Sequence, residues 1–194
     1  MKIFIYILSF FIISCSSYNV KSYYDEFEHY EWFRYENNKV KEDYIGVDLE
    51  INPQKWVQGE TEIYSLQIVL IGKEELEIDE GFSLLLSIDD QRVNLGNNSK
   101  KSIRNYISNS KIYEEAWFEI DKDILYNLAF SENIKFKIIG KTEFIKGEFS
   151  DFNKKTFKEF YTNQIDNSIL EIPSIANDLK KSKIAMKIPS FRKP

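Results

Sequence analysis

The sequence predicts a mainly β, α+β fold: sandwich-like antiparallel sheets, one short helix and one C-terminal helix. Three observations carry this. Apolar residues recur at every second position through several stretches, most clearly Tyr64 to Leu70. Short turn signals separate those stretches. Apolar residues make up 43% and aromatic residues 15% of the 194 residues, enough to fill a core.

Taken in order, Tyr23 to Tyr35 is crowded with aromatics: Tyr23, Tyr24, Phe27, Tyr30, Trp32, Phe33 and Tyr35. Phe27, Tyr30 and Arg34 share a helical face, while Tyr30, Trp32 and Arg34 alternate as a strand does. The stretch therefore reads as a short helical lead followed by a strand. Its aromatics read as core, with a ligand platform or an exposed sticky patch as the alternatives. Tyr44 to Ile51 alternates, placing Ile45, Val47, Leu49 and Ile51 on one face, and Asn52-Pro53 is expected to end it. Glu60 to Ile71 predicts a longer strand that buries Tyr64, Leu66, Ile68 and Leu70, with Gly72 breaking it.

Leu76 to Ile78 suits a short strand or bulge. Phe82 to Ile88 is nearly all apolar, as a central strand covered on both faces would be. Asp89-Asp90 then turns into a strand from Arg92 to Leu95. Gly96 to Lys111 is rich in Asn, Ser and Lys and reads as a long loop. Ile112 to Ile120 is again strand-like. Asp121 is placed to cap a helix from Ile124 to Phe130, and Ser150 a second helix reaching about Asn163. Between them, Asn133 to Ile139 and Thr142 to Phe149 predict a hairpin around Gly140-Lys141.

The chain begins with Lys2 and an apolar run from Ile3 to Ile13, eleven residues that include one serine. A spanning helix needs about 20 apolar residues, so the run is too short to be one and suits a secretory signal. It ends in Ile12-Ile13-Ser14-Cys15, which resembles the bacterial lipobox, in the relaxed form of spirochaete lipoproteins: Ile12 stands where leucine is usual, Ile13 where a small residue is usual. The resemblance implies cleavage between Ser14 and Cys15, with Cys15 as the lipidation site. The thiol takes a diacylglyceryl group and the freed amine a fatty acyl chain such as palmitate. Each buried CH₂ adds about 0.8 kcal/mol, so two or three chains hold where one is marginal. An ordinary cleaved signal and an uncut apolar helix are the competing readings. The organisation that follows is a signal peptide at 1–14, a lipidated tether at 15–22, a β-rich domain at 23–166 and an extended, basic, mobile tail at 167–194. Ile169, Ile172, Ile175 and Leu179 suit docking of part of that tail on the domain.

Charge and composition exclude several classes. The net charge is -5, or -6 once Lys2 leaves with the signal, which argues against sequence-independent nucleic-acid binding. Cys15 is the only cysteine, so the mature domain has no disulfide and depends on its core. His29 is the only histidine, which rules out a multi-histidine metal site and a histidine–cysteine dyad. There is no glycine-rich phosphate loop and no nucleophile elbow. Asp89/Asp90 and Asp121/Asp123 are carboxylate pairs with the option of cation binding or acid–base work, but each has a sufficient task as turn or cap. Lys135, Lys137, Lys141 and Lys146 suggest a basic stripe toward anionic lipid or sugar, with a solvated strand face as the better reading. No catalytic residue, cofactor or metal site is expected.

The half from Tyr64 to Tyr161 resembles a β-rich domain that recurs, mostly uncharacterised, in exported bacterial proteins and spirochaete lipoproteins. Leu84-Leu85-Leu86-Ser87-Ile88-Asp89, Glu115-Ala116-Trp117-Phe118-Glu119-Ile120, Leu125-Tyr126-Asn127-Leu128-Ala129 and Ile134-Lys135-Phe136-Lys137-Ile138-Ile139-Gly140 carry the likeness, closing with Phe149-Ser150-Asp151-Phe152-Asn153. It implies the same sandwich-like sheets with a short and a C-terminal helix, and brings no catalytic residues with it.

The functional expectation is therefore a lipid-anchored protein of the bacterial envelope, at the outer membrane or cell surface. It would be a non-enzymatic binding module, with a protein or glycan partner meeting a sheet face or the Gly96–Lys111 stretch. A structural or assembly component of the envelope is the alternative. A carboxylate-dependent hydrolase of envelope polymers is the third reading.

Overall fold

A computed structural model describes residues 18–43, 46–78, 80–97, 103–108 (backbone only) and 111–166. Ser14, Cys15, Ile45, residues 98–102 and 109–110, and the tail at 167–194 lie outside the described residues. Among the described residues eleven strands and two helices follow one another in the order β1 Asn19–Asp25, β2 Tyr30–Glu36, β3 Lys41–Glu42, β4 Asp48–Gln58, β5 Thr61–Gly72, β6 Gly81–Ile88, β7 Gln91–Asn97, β8 Ile103–Ser108, β9 Lys111–Ile120, α1 Lys122–Phe130, β10 Ile134–Ile139, β11 Phe144–Glu148 and α2 Asp151–Gln164. The mainly β fold with a short and a C-terminal helix is as expected.

All the strands belong to one antiparallel sheet, ordered β1-β2-β4-β5-β9-β7-β6-β10-β11-β3, with β8 on the side of β9. The sheet nearly closes on itself. β3 pairs with β11 at one extreme, and the residues just before β3 return to β4: Val40 N–H donates to Leu49 O at 3.0 Å and Ile51 N–H to Asn38 O at 3.2 Å. Opposite walls thus face each other across one core, as the layers of a sandwich do. Leu49 and Ile51 of β4, Leu66 and Ile68 of β5, Phe118 of β9, Leu84 of β6 and Ile138 of β10 all meet in it.

Both ends of this wrapped sheet are covered. α1 and α2 pack together over one end through Tyr126, Phe130 and Tyr161, with ring centroids 4.6–5.7 Å apart. α2 drives Phe157 and Phe160 into the core, where Phe160 meets the Tyr35 ring edge-on at 5.2 Å. Asp121 caps α1 by accepting from Ile124 N–H at 2.6 Å, and Ser150 and Asn153 form a capping box on α2. At the other end the β5–β6 connection crosses the core, burying Leu76 and Ile78. The Glu114 carboxylate holds it, accepting from Leu76 and Glu77 N–H at 3.1 Å and Ile78 N–H at 2.5 Å. Gly140 lies against this crossing so closely that a Cβ there would sit 2.0 Å from Leu76 O.

Several expectations are corrected. Among the described residues no helix precedes β2; β1 and β2 form a hairpin. Its turn is made by Asp25, whose carboxylate accepts from Phe27 and Glu28 N–H at 2.9 and 3.0 Å, and by His29 in the left-handed region at φ 51°. β1 starts at Asn19, inside the stretch read as tether. It is an edge strand exposed along nearly its whole length, so no buried face marks it in the sequence.

Pro53 does not end β4 but sits at its middle, opposite Leu66. Its nitrogen points to the same side as the Ile51 N–H, and there the neighbouring chain is interrupted: β2 pairs only from Gln54 onward and the 38–40 segment only with residues up to Ile51. The missing donor costs no ladder bond. The Gly96–Lys111 stretch is not one long loop, because β7 runs to Asn97 and β8 pairs with β9. Among the described residues β8 pairs with β9 alone, and an edge strand tolerates the polar composition that reads as loop. β6 is central, between β7 and β10, but is covered on one face only: Leu84, Leu86 and Ile88 are core, Leu85 and Ser87 half-buried, and Phe82 is 73% exposed.

Candidate functional site

Strand alternation divides β1, β2, β4, β5 and β9 into an inner face that meets the core and an outer face that does not. Tyr35, Leu66, Ile68 and Phe118 point inward. Cross-strand register then assigns the outward set. Tyr23 stands opposite Trp32, Trp32 opposite Trp56 and Trp56 opposite Ile63, and Trp117 of β9 stands opposite Gln67 on the same side. The chain has three tryptophans, and none belongs to the core cluster.

The rings touch one another in a row. Centroids lie 6.2 Å apart for Tyr23–Trp32, 6.2 Å for Trp32–Trp56, 5.3 Å for Tyr30–Trp56 and 6.1 Å for Tyr23–Tyr30, with planes inclined by 31–48°. Tyr23 is 48% and Ile63 43% exposed, and the tryptophans are half-buried. Of the seven aromatics between Tyr23 and Tyr35, expected as core, only Tyr35 is buried there; Tyr24 and Phe27 are exposed, and Tyr30, Trp32 and Phe33 are half-buried.

Beside the row lies a groove of about 480 Å³, lined by Tyr30, Trp56, Gln58, Thr61, Ile63, Ser65, Trp117 and Glu119 among others. That volume falls within the roughly 300–1,000 Å³ of small-ligand sites. The next cross-strand row is polar: Lys21, Arg34, Gln54, Ser65 and Glu119 stand opposite one another in turn. The Arg34 guanidinium lies 4.8 Å from the Trp32 ring centroid and pairs with Glu36 at 2.7 Å. Beyond it a buried network fixes the sheet: Asn52 donates to Gln67 at 3.3 Å, Gln67 donates to Glu115, and the Tyr113 hydroxyl donates to Glu115 at 2.8 Å. Burial, and then the Glu115 carboxylate, push the Tyr113 phenol up from its ordinary value, and the Asp25 carboxylate does the same for Tyr23. Both phenols are neutral donors at physiological pH.

The other sequence candidates have structural tasks. Asp89 and Asp90 take left-handed conformations, φ 44° and 68°, in the tight β6–β7 turn. Asp89 accepts from Asn133 N–H at 2.8 Å, which holds its carboxyl below the usual range. Asp121 caps α1, and Asp123 sits in its first turn. Among the described residues no three His, Cys, Asp or Glu side chains gather as metal ligands would. His29 is in the exposed β1–β2 turn, 3.3 Å from the Tyr24 hydroxyl.

Lys135, Lys137 and Lys146 lie on the β10–β11 hairpin, where Lys137 and Lys146 reach over the Phe144 ring at 4.0 and 5.1 Å. Lys141 leaves that stripe and pairs with Glu77 at 3.2 Å. Sequence reasoning did not bring together Trp56, Ile63, Ser65 and Trp117 with Tyr30 and Trp32. Alternation in β5 puts Ile63 and Ser65 on the face opposite Tyr64, Leu66, Ile68 and Leu70, and that is the signal the sequence carries.

Comparison with protein-family models, with curated proteins and with solved structures finds no match to this chain.

Proposed function

We propose that this chain is a lipid-anchored, non-enzymatic binding module of the bacterial envelope, whose aromatic outer sheet face docks a protein or glycan partner. The observation that carries the reading is the placement of all three tryptophans outside the core, in or beside one groove. Tryptophan is the largest apolar side chain and is ordinarily drawn into cores or interfaces. A row of such rings on an outer face, each held in place by the next, is pre-organised contact area. The anchor rests on Ile12-Ile13-Ser14-Cys15: acyl chains on Cys15 would confine the domain to a membrane surface, the outer membrane or cell surface, and raise its local concentration there. An assembly role is favoured by a different feature, the β1 edge, whose outer backbone groups have no strand beside them among the described residues.

The test is co-sedimentation of vesicles bearing the acylated chain with the insoluble envelope fraction of the cells that make it. The unaltered chain should be retained. Trp32→Ala combined with Trp56→Ala should lower retention at least tenfold, with far-ultraviolet circular dichroism unchanged. Equal retention of both would remove the aromatic face from the account. The Cys15→Ala chain should fail to enter the detergent phase on partitioning, and its entry there would sink the anchor.

A further inference from the structure

We infer that the groove beside Trp56 takes a neutral saccharide chain, stacked on the aromatic row and hydrogen-bonded by the polar row next to it. The inference rests on the reading of this face as a binding surface and narrows the partner to one chemistry.

Three observations support it. First, Arg34 Nε, Gln54 Oε1 and Ser65 Oγ are buried without a hydrogen-bond partner among the described residues, and these residues stand opposite one another across β2, β4 and β5. Gln54 is 1% and Ser65 7% exposed. Orphaned buried polar atoms are uncommon and costly, and of these three residues Ser65 lines the groove itself, so its hydroxyl points to a group that a ligand satisfies. With Gln58, Thr61 and Glu119 on the same groove wall, it offers amide, hydroxyl and carboxylate groups, which is the mixture a polyhydroxylated ring matches and an apolar helix does not. Second, the row lies directly beside aromatic rings, whose faces accept the C–H side of a sugar ring while its hydroxyls turn to the polar row. The inclination of the rings, 31–48°, suits a flexible soluble chain that follows the twist of the sheet; a flat crystalline surface would meet only one ring. Third, the carboxylates Asp25, Glu36, Glu115 and Glu119 outnumber Lys21 and Arg34 on this face. That repels sulfated or uronic chains and leaves neutral ones.

The tryptophans report on the site directly. The acylated chain, held in phosphatidylcholine vesicles, would be titrated with cellohexaose, maltohexaose, chitohexaose and a heparin hexasaccharide while tryptophan emission is followed. A saturable change with at least one neutral hexasaccharide, and none with heparin, is the expected result. Ser65→Ala should weaken that binding about threefold to tenfold, and Trp56→Ala about tenfold or more. Silence from every neutral hexasaccharide, or a preference for heparin, overturns the inference. If saccharides are silent while the double tryptophan variant still loses envelope retention, the binding face stands and its occupant is a protein segment. If retention is also unaffected, both readings fall.

Discussion

Glu114→Ala is expected to lower the unfolding free energy by about 3–4 kcal/mol, read by urea unfolding. The carboxylate is 2% exposed and points into the sheet's interior from β9. It accepts from three successive backbone N–H groups of the crossing segment, Leu76, Glu77 and Ile78. Alanine removes the acceptor that all three donors share, and losing the partner of a buried donor costs about 1–3 kcal/mol. Glu114→Gln is no rescue. One carboxylate oxygen accepts from Leu76 and Glu77 and the other from Ile78, so either orientation of the amide turns its NH₂ toward a donor. Glu60→Ala, in the exposed β4–β5 turn, should stay within about 0.5 kcal/mol. A Glu114→Ala chain as stable as the parent would show that the crossing is held by the packing of Leu76 and Ile78 and by the Lys141 N–H bond to Glu77 O at 3.0 Å, without the carboxylate.

Asn153→Asp is the second large effect, and its sign separates two explanations. Asn153 is fully buried in the first turn of α2. Its Oδ1 accepts from Ser150 N–H at 2.9 Å, completing the capping box. Its Nδ2 donates to Asn38 Oδ1 at 2.8 Å and Lys39 O at 2.7 Å, tying the helix to the segment that closes the sheet. If capping were the whole role, aspartate would serve as well or better, because the helix N-terminus favours negative charge. If the ties to Asn38 and Lys39 dominate, aspartate sets a buried carboxylate against two acceptors. We expect the second: a loss of about 3 kcal/mol or more for Asn153→Asp, at least equal to that for Asn153→Ala. Asn38 meets the same network from the other side, donating to Ile51 O at 2.7 Å.

The legible parts of this fold were those in which local chemistry and burial agree. Tyr64, Leu66, Ile68 and Leu70 alternate because β5 buries one face, and all four are core. Asp121 and Ser150 cap helices because their side chains reach backbone donors close by, whatever the tertiary fold. Asp89-Asp90 fits a tight hairpin for the same local reason. What escaped depends on neighbours distant in sequence. Pro53 is tolerated in mid-strand only because β2 and the 38–40 segment leave a gap opposite it. β1 carries no periodic mark because nothing covers either of its faces well. The aromatic face is the sharpest case. Alternation in Tyr30, Trp32 and Arg34 separates two faces of β2 but does not say which one the core takes. Tyr35, on the other face, stacks with Tyr18 at 4.7 Å and meets Phe160 of α2, more than a hundred residues away. That long-range packing turns the tryptophans outward.

Acrylamide quenching of tryptophan fluorescence tests that outward placement most directly. With Trp32, Trp56 and Trp117 all on the outer face, emission from the folded chain should be quenched in a single accessible population, at a substantial fraction of the rate seen in urea. Adding a bound hexasaccharide should then shield it. Blue-shifted emission that resists acrylamide until the chain unfolds would place the tryptophans inside the packed protein and contradict the binding face.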